Sequence, residues 1–118
     1  MFPYVKDFAT MTKSLSRCAE HLRHAVRHLA NSSSTPQAKL TNMYKDTLFG
    51  STSEGDFPDG YLRSSYLAIK ALVIKADEPQ AAVNIAGMSD EQALEVIGRI
   101  CVLSEAVAYE LGRQSNSL

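Results

Sequence analysis

The sequence has no tryptophan, only four prolines and only two cysteines, Cys18 and Cys101. Two cysteines far apart cannot supply the dense framework of a disulfide-stapled module, nor the paired Cys-x-x-Cys knuckles of a structural zinc site. Both fall at apolar positions of predicted helices, which makes free, buried thiols in a reducing compartment the first reading and a disulfide the lesser one. Long hydrophobic runs are also missing. Lys70 and Lys75 interrupt the richest stretch, 67–76, well short of the roughly 18 apolar residues a membrane helix needs. The start, Met1-Phe2-Pro3-Tyr4-Val5-Lys6-Asp7, has neither the charged nor the apolar region of a secretory signal, so the expected location is cytoplasmic. An excess of either charge is absent too: 12 Lys+Arg face 13 Asp+Glu, for a net charge of −1. That balance removes the electrostatic argument for a general nucleic-acid or membrane-surface binder.

What is present is helical periodicity in a chain of 118 residues that is 45% apolar, enough for one core without staples. The first helix is predicted over 4–30. Phe8, Met11, Leu15, Ala19, Leu22, Val26 and Leu29 recur every three or four positions on one stripe. Thr35-Pro36 reads as an N-cap followed by proline at the first helical position, opening a second helix that carries Leu40, Met43, Tyr44, Leu48 and Phe49 and stops at Gly50. Residues 50–60, rich in turn formers and acids, read as an exposed loop or hinge. A third helix, 61–76, has two apolar stripes, Leu62/Tyr66/Ile69/Val73/Ala76 and Leu67/Ala71/Ile74. Such a helix is either central to the bundle or covered on its second side, by Leu67, Ala71 and Ile74, with another copy or a partner. A short helix from Pro79 to Ala86 ends at Gly87, and Ser89-Asp90-Glu91-Gln92 reads as a capping box for a long last helix. Gly98 inside that helix suggests close approach by another helix, and 114–118 reads as a frayed tail. No stretch alternates with the period of a strand. The predicted fold is all-α: a single domain over 1–118, a bundle of four to five helices with long first and last helices around an apolar third.

The unusual local feature is the first helix. At 100° per residue His21, His24 and His28 fall within an arc of about 60°, yet His21 and His28 stand about 10 Å apart along the axis, so one ion can take at most a pair such as His24/His28. No Cys-x-x-Cys or His-Glu-x-x-His completes a ligand set, and the reading is no metal and no cofactor. The same helix is basic, with Lys6, Lys13, Arg17, Arg23 and Arg27, whereas 79–118 is acidic. One consequence is complementary rims between the first and last helices; the sharper one is a face of Arg17, His21, Arg23, His24, Arg27 and His28 offered to an acidic partner.

Arg23-His24-Ala25-Val26-Arg27-His28 resembles the Arg-x4-to-6-His signature of the HEPN ribonucleases, which are small helical bundles, and Arg17 with His24 fits the same pattern. The resemblance implies Arg23 stabilising phosphate charge and His28 acting in acid/base cleavage. Residues 82–96 resemble a helix-turn-helix, but the second helix would present Asp90, Glu91 and Glu95 to phosphates, which opposes duplex binding. Gly50 and Gly55 have phosphate-loop spacing, with Asp56-Phe57 where Lys-Ser/Thr is required. The functional expectation is a non-catalytic protein–protein interaction module, an adaptor, small inhibitor or assembly subunit that self-associates or binds a larger protein. A nucleic-acid-binding module built on the first helix stands second, and metal binding or HEPN-like cleavage third.

Overall fold

The computed structural model describes residues 8–30, 35–46 and 54–116, and the side chains of most of these. Among them are five α-helices and no strand: α1 (Phe8–Ala30), α2 (Pro36–Asp46), α3 (Tyr61–Val73), α4 (Ala81–Ala86) and α5 (Asp90–Asn116), with a 3-10 turn at Glu54–Asp56 before α3. The all-α bundle read from periodicity is the fold observed. Its local signals act as their chemistry dictates. The Thr35 hydroxyl accepts from the Ala38 amide at 3.3 Å, capping α2, whose first residue is Pro36. At α5 the Gln92 amide donates to Ser89 Oγ (3.1 Å) while the Ser89 amide donates to Gln92 Oε1 (2.9 Å), the reciprocal capping box.

One core fills the bundle. Leu15, Cys18, Leu22 and Ala25 of α1, Leu40 and Met43 of α2, Leu62, Tyr66, Ile69 and Val73 of α3 and Ala81 and Ile85 of α4 meet the inner stripe of α5, formed by Ala93, Val96, Ile97, Ile100, Leu103 and Val107. Helix α5 lies against α1, α2 and α3, whereas α3 packs on α5, α4 and the 3-10 turn. The central element is therefore α5, not the third helix. Of the two apolar stripes on α3, the first is buried from Leu62 to Val73; in the second, Leu67 and Ala71 are exposed and only Ile74 reaches the core.

Several boundaries differ from the sequence reading. Helix α3 ends at Val73 instead of residue 76, with Ile74 extended. Asn84 holds that end: its side-chain amide donates to the Val73 carbonyl (2.9 Å), an acceptor the helix end leaves unpaired, and to the Glu78 carbonyl (2.7 Å), which the Lys75 amide also reaches at 3.2 Å. Helix α4 starts at Ala81, not Pro79, and α5 runs to Asn116, past the tail that composition marked as frayed. Residues 1–7, and Leu48, Phe49 and Gly50 at the expected end of the second helix, lie outside the described residues.

The segment read as an exposed loop or hinge over 50–60 is exposed at Gly55, Asp59 and Gly60 but anchored at its centre. Phe57 is buried and stacks on Tyr66 with ring centroids 4.6 Å apart. Arg63 Nε and Nη2 donate to the Phe57 carbonyl at 3.1 and 2.8 Å, and Arg63 also pairs with Asp59. Arg17 of α1 reaches Asp56 at 2.6 Å. An aromatic anchor and three polar ties pin this segment between α1 and α3, because a buried ring is worth more than the entropy of a short loop. Phe57→Ala is expected to destabilise the fold by roughly 3–5 kcal/mol, the range for emptying a buried phenylalanine site, read as a loss of denaturation midpoint. Asn84→Ala is expected to cost about 1–3 kcal/mol by stranding the Val73 carbonyl, measured the same way.

Candidate functional site: the outer face of α3 and α5

Three sets of residues could carry function, and their geometry separates them. On α1, Arg17, Arg23, His24 and Arg27 are exposed and His21 is half-buried; the His28 side chain lies outside the described residues. Arg17 is committed to Asp56, while Arg23 and Arg27 make no ion pair among the described residues. The described part of the histidine flank brings together no group of three or more His, Cys, Asp or Glu side chains able to hold an ion. Among the described residues the ion pairs Arg17–Asp56, Arg63–Asp59, Arg99–Glu95 and Arg113–Glu110 do not join α1 to the last helix directly.

The cysteines are free thiols, as read from the sequence. Cys18 is fully enclosed. Burial, reinforced by the nearby Asp56 carboxylate and only partly offset by Arg17, pushes its thiol up to about 12. Burial also raises Cys101, with Glu105 adding to it. The Cys18 thiol, so protonated, is no nucleophile at neutral pH. Cys18 is a core residue with a weak contact from its Sγ to the Asp56 carbonyl at 3.8 Å.

The third set was not singled out by sequence reasoning. Helices α3 and α5 run antiparallel, with Tyr61 beside Tyr109, Ala68 beside Val102 and Lys75 beside Glu95. Along their outer seam lies a groove of about 610 Å³, floored by Ile69 and Leu103 and walled by Ala68, Gly98 and Val102, with Ser64, Ser65 and the Glu95–Arg99 pair (3.6 Å) on its rims. It continues past Tyr61 into a second depression of about 580 Å³ beside Ala106, Tyr109 and the Glu110–Arg113 pair. Large apolar side chains stand in water here: Tyr61 is 66% exposed, Val102 54%, Tyr109 73% and, further round α5, Leu94 55%. The Arg113 guanidinium, hydrogen-bonded to Glu110, holds that carboxyl below its ordinary range, so the rim stays ionised. The signal was in the sequence, since Leu94, Val102 and Tyr109 sit off the inner stripe of α5, on its opposite side.

Gly98 sharpens the point. The close approach expected there does not occur among the described residues, for a Cβ built on Gly98 meets nothing within 4 Å, and the same holds for Gly112. Mid-helix glycine costs about 1 kcal/mol relative to alanine, and internal packing gives no return for it. The chain has no significant match to any known protein family, to any curated protein or to any solved structure.

Two outcomes check this description. Gly98→Ala is expected to raise the stability of the isolated chain by roughly 0.5–1 kcal/mol in chemical denaturation. Alkylation at pH 8 is expected to modify Cys101 in the native protein while Cys18 reacts only on unfolding, as read by peptide mass spectrometry.

Proposed function

We propose that the protein is a non-catalytic interaction module that presents the α3–α5 face to a protein partner, as an adaptor, a small inhibitor or a subunit of an assembly. The observation that carries this reading is the run of exposed Tyr61, Val102 and Tyr109 along an apolar groove, around a Gly98 whose open side meets no other described residue. Contiguous apolar surface rimmed by charge is what interaction sites look like, and tyrosine is enriched in them because it offers a rigid apolar body with a polar end. The groove-side charges of α5 are already paired within the chain as Glu95–Arg99 and Glu110–Arg113, which suits an apolar contact more than a charged substrate.

A second reading rests on Arg23 and Arg27, exposed and without ion pairs among the described residues, which with His24 form the polyanion-facing side of a nucleic-acid module. It is the weaker, because two cations and a histidine on a chain of net charge −1 release few counterions. The test compares three tagged chains in capture from the native host followed by mass spectrometry: wild type, Val102→Asp/Tyr109→Ala, and Arg23→Ala/Arg27→Ala. The expected result is a protein partner retained by the wild type and the arginine variant and lost, by at least tenfold, from the face variant. Nucleic acid retained by the wild type and lost only from the arginine variant transfers the function to α1.

A further inference from the structure

Three properties of the α3–α5 face point to one occupant. The first is its shape, which is complementary to itself. On α5, Gly98, Val102 and Tyr109 lie within about 40° of one another at 100° per residue, so a hollow at Gly98 and a protruding ring at Tyr109 share one line. A two-fold axis perpendicular to α5, passing between positions 103 and 104, places each Tyr109 over the partner's Gly98, and a two-fold contact needs this reciprocity. The second property is charge. In an antiparallel pair the same flank of each helix meets, and Glu95, Arg99, Glu110 and Arg113 share one flank, within an arc of about 60°. The register that seats Tyr109 sets Glu95 against the partner's Arg113 and Arg99 against the partner's Glu110. Each pair is within two residues, about 3 Å along the axis, of directly opposite. Both are attractive, both occur twice, and the pairs now closed within one chain become two four-charge clusters. Glu95 also comes within two residues of the partner's Glu110, a like-charged approach inside each otherwise neutral cluster, and Glu105 faces the partner's Glu105 on the other flank, where it is exposed. The third property is size. The 27-residue α5 is about 40 Å long and the 13-residue α3 about 20 Å, and at helix widths of about 10 Å they make a face on the order of 600 Å², the lower end of what each partner buries in a stable interface.

We infer that this face is the interface of a two-fold homodimer, in which a second copy docks antiparallel with Tyr109 of each chain seated on Gly98 of the other. The inference rests on the interaction reading and names its partner. The glycine then has a function, admitting a ring against helix backbone, and the net charge of −1 leaves two copies free to associate.

Light scattering and sedimentation equilibrium on the full chain test it. The expected particle is about 26 kDa, twice the 12.9 kDa chain. Gly98→Leu fills the hollow and is expected to give a monomer at concentrations where the wild type is dimeric, while circular dichroism shows an intact fold, since the space at Gly98 is open. Glu95→Arg and Arg113→Glu, each alone, are expected to weaken the dimer roughly tenfold, and the double reversal to restore it to within about threefold of the wild type. A dimer indifferent to Gly98→Leu, or charge reversals that do not rescue each other, overturns the proposed interface. A monomeric wild type overturns the second copy; if it still retains a different protein through Val102 and Tyr109 the interaction reading stands, and if it captures nothing both fall.

Discussion

Burial of the inner stripe of α5 is the constraint from which the rest of the molecule follows. Ala93, Val96, Ile97, Ile100, Leu103 and Val107 recur every three or four residues and form a ridge that α1, α2 and α3 share. Because one helix serves as wall for three others, its length sets the length of the bundle, and its two faces acquire opposite characters. The inner face is consumed by folding. The outer face is left to water with Leu94, Val102 and Tyr109 upon it, and no other element of the described chain covers them.

Around that spine, short polar devices decide where helices stop. The capping box at Ser89 and Gln92 starts α5 cleanly, and the Gln37 side-chain amide donates to the Met88 carbonyl and to Asp90, each at 2.9 Å, tying α2 to the same corner. Asn84 closes α3 from the neighbouring helix. Arg63 and Arg17 hold the segment before α3, so that Phe57 can stack on Tyr66. Each is a hydrogen bond or ion pair of modest net value, and each satisfies groups that would otherwise be stranded beside the core. The charges on the outer face have a different setting. Glu95–Arg99 and Glu110–Arg113 pair along one exposed helix and add little to stability, which leaves them available to partners at small cost.

Much of the architecture was legible because it depends on local periods. The stripe of α1, the Thr35-Pro36 start of α2 and the Ser89 box are each written within a few residues, and the structure contains them. What misled was equally local. Two apolar stripes on 61–76 suggested a helix either central or covered on its second side by another copy or a partner, and the exposure of Leu67 and Ala71 within the chain removes only the first alternative, since a run of small and apolar residues does not say how many neighbours arrive. Glycines and acids in 50–60 suggested an exposed loop, yet the single Phe57 outweighs them in its part of the segment. The histidine run on α1 drew attention by its composition, and of its described members one is exposed and one half-buried, without a ligand set around them. Tyr61 and Tyr109 drew none, since they are 48 positions apart in sequence and become neighbours only when α3 folds back on α5.

The sequence by itself determined the helices, most of their caps, the state of the two thiols and the absence of any apolar stretch able to span a bilayer. These follow from interactions within about four residues or from composition. Tertiary structure alone decided that α5 and not α3 is the centre, that Asn84 holds the end of α3, that Phe57 is core and that Gly98 faces open space. The physical reason is common to all four: each depends on which surfaces remain uncovered after packing, a property of the whole set of contacts that no window of one helix contains.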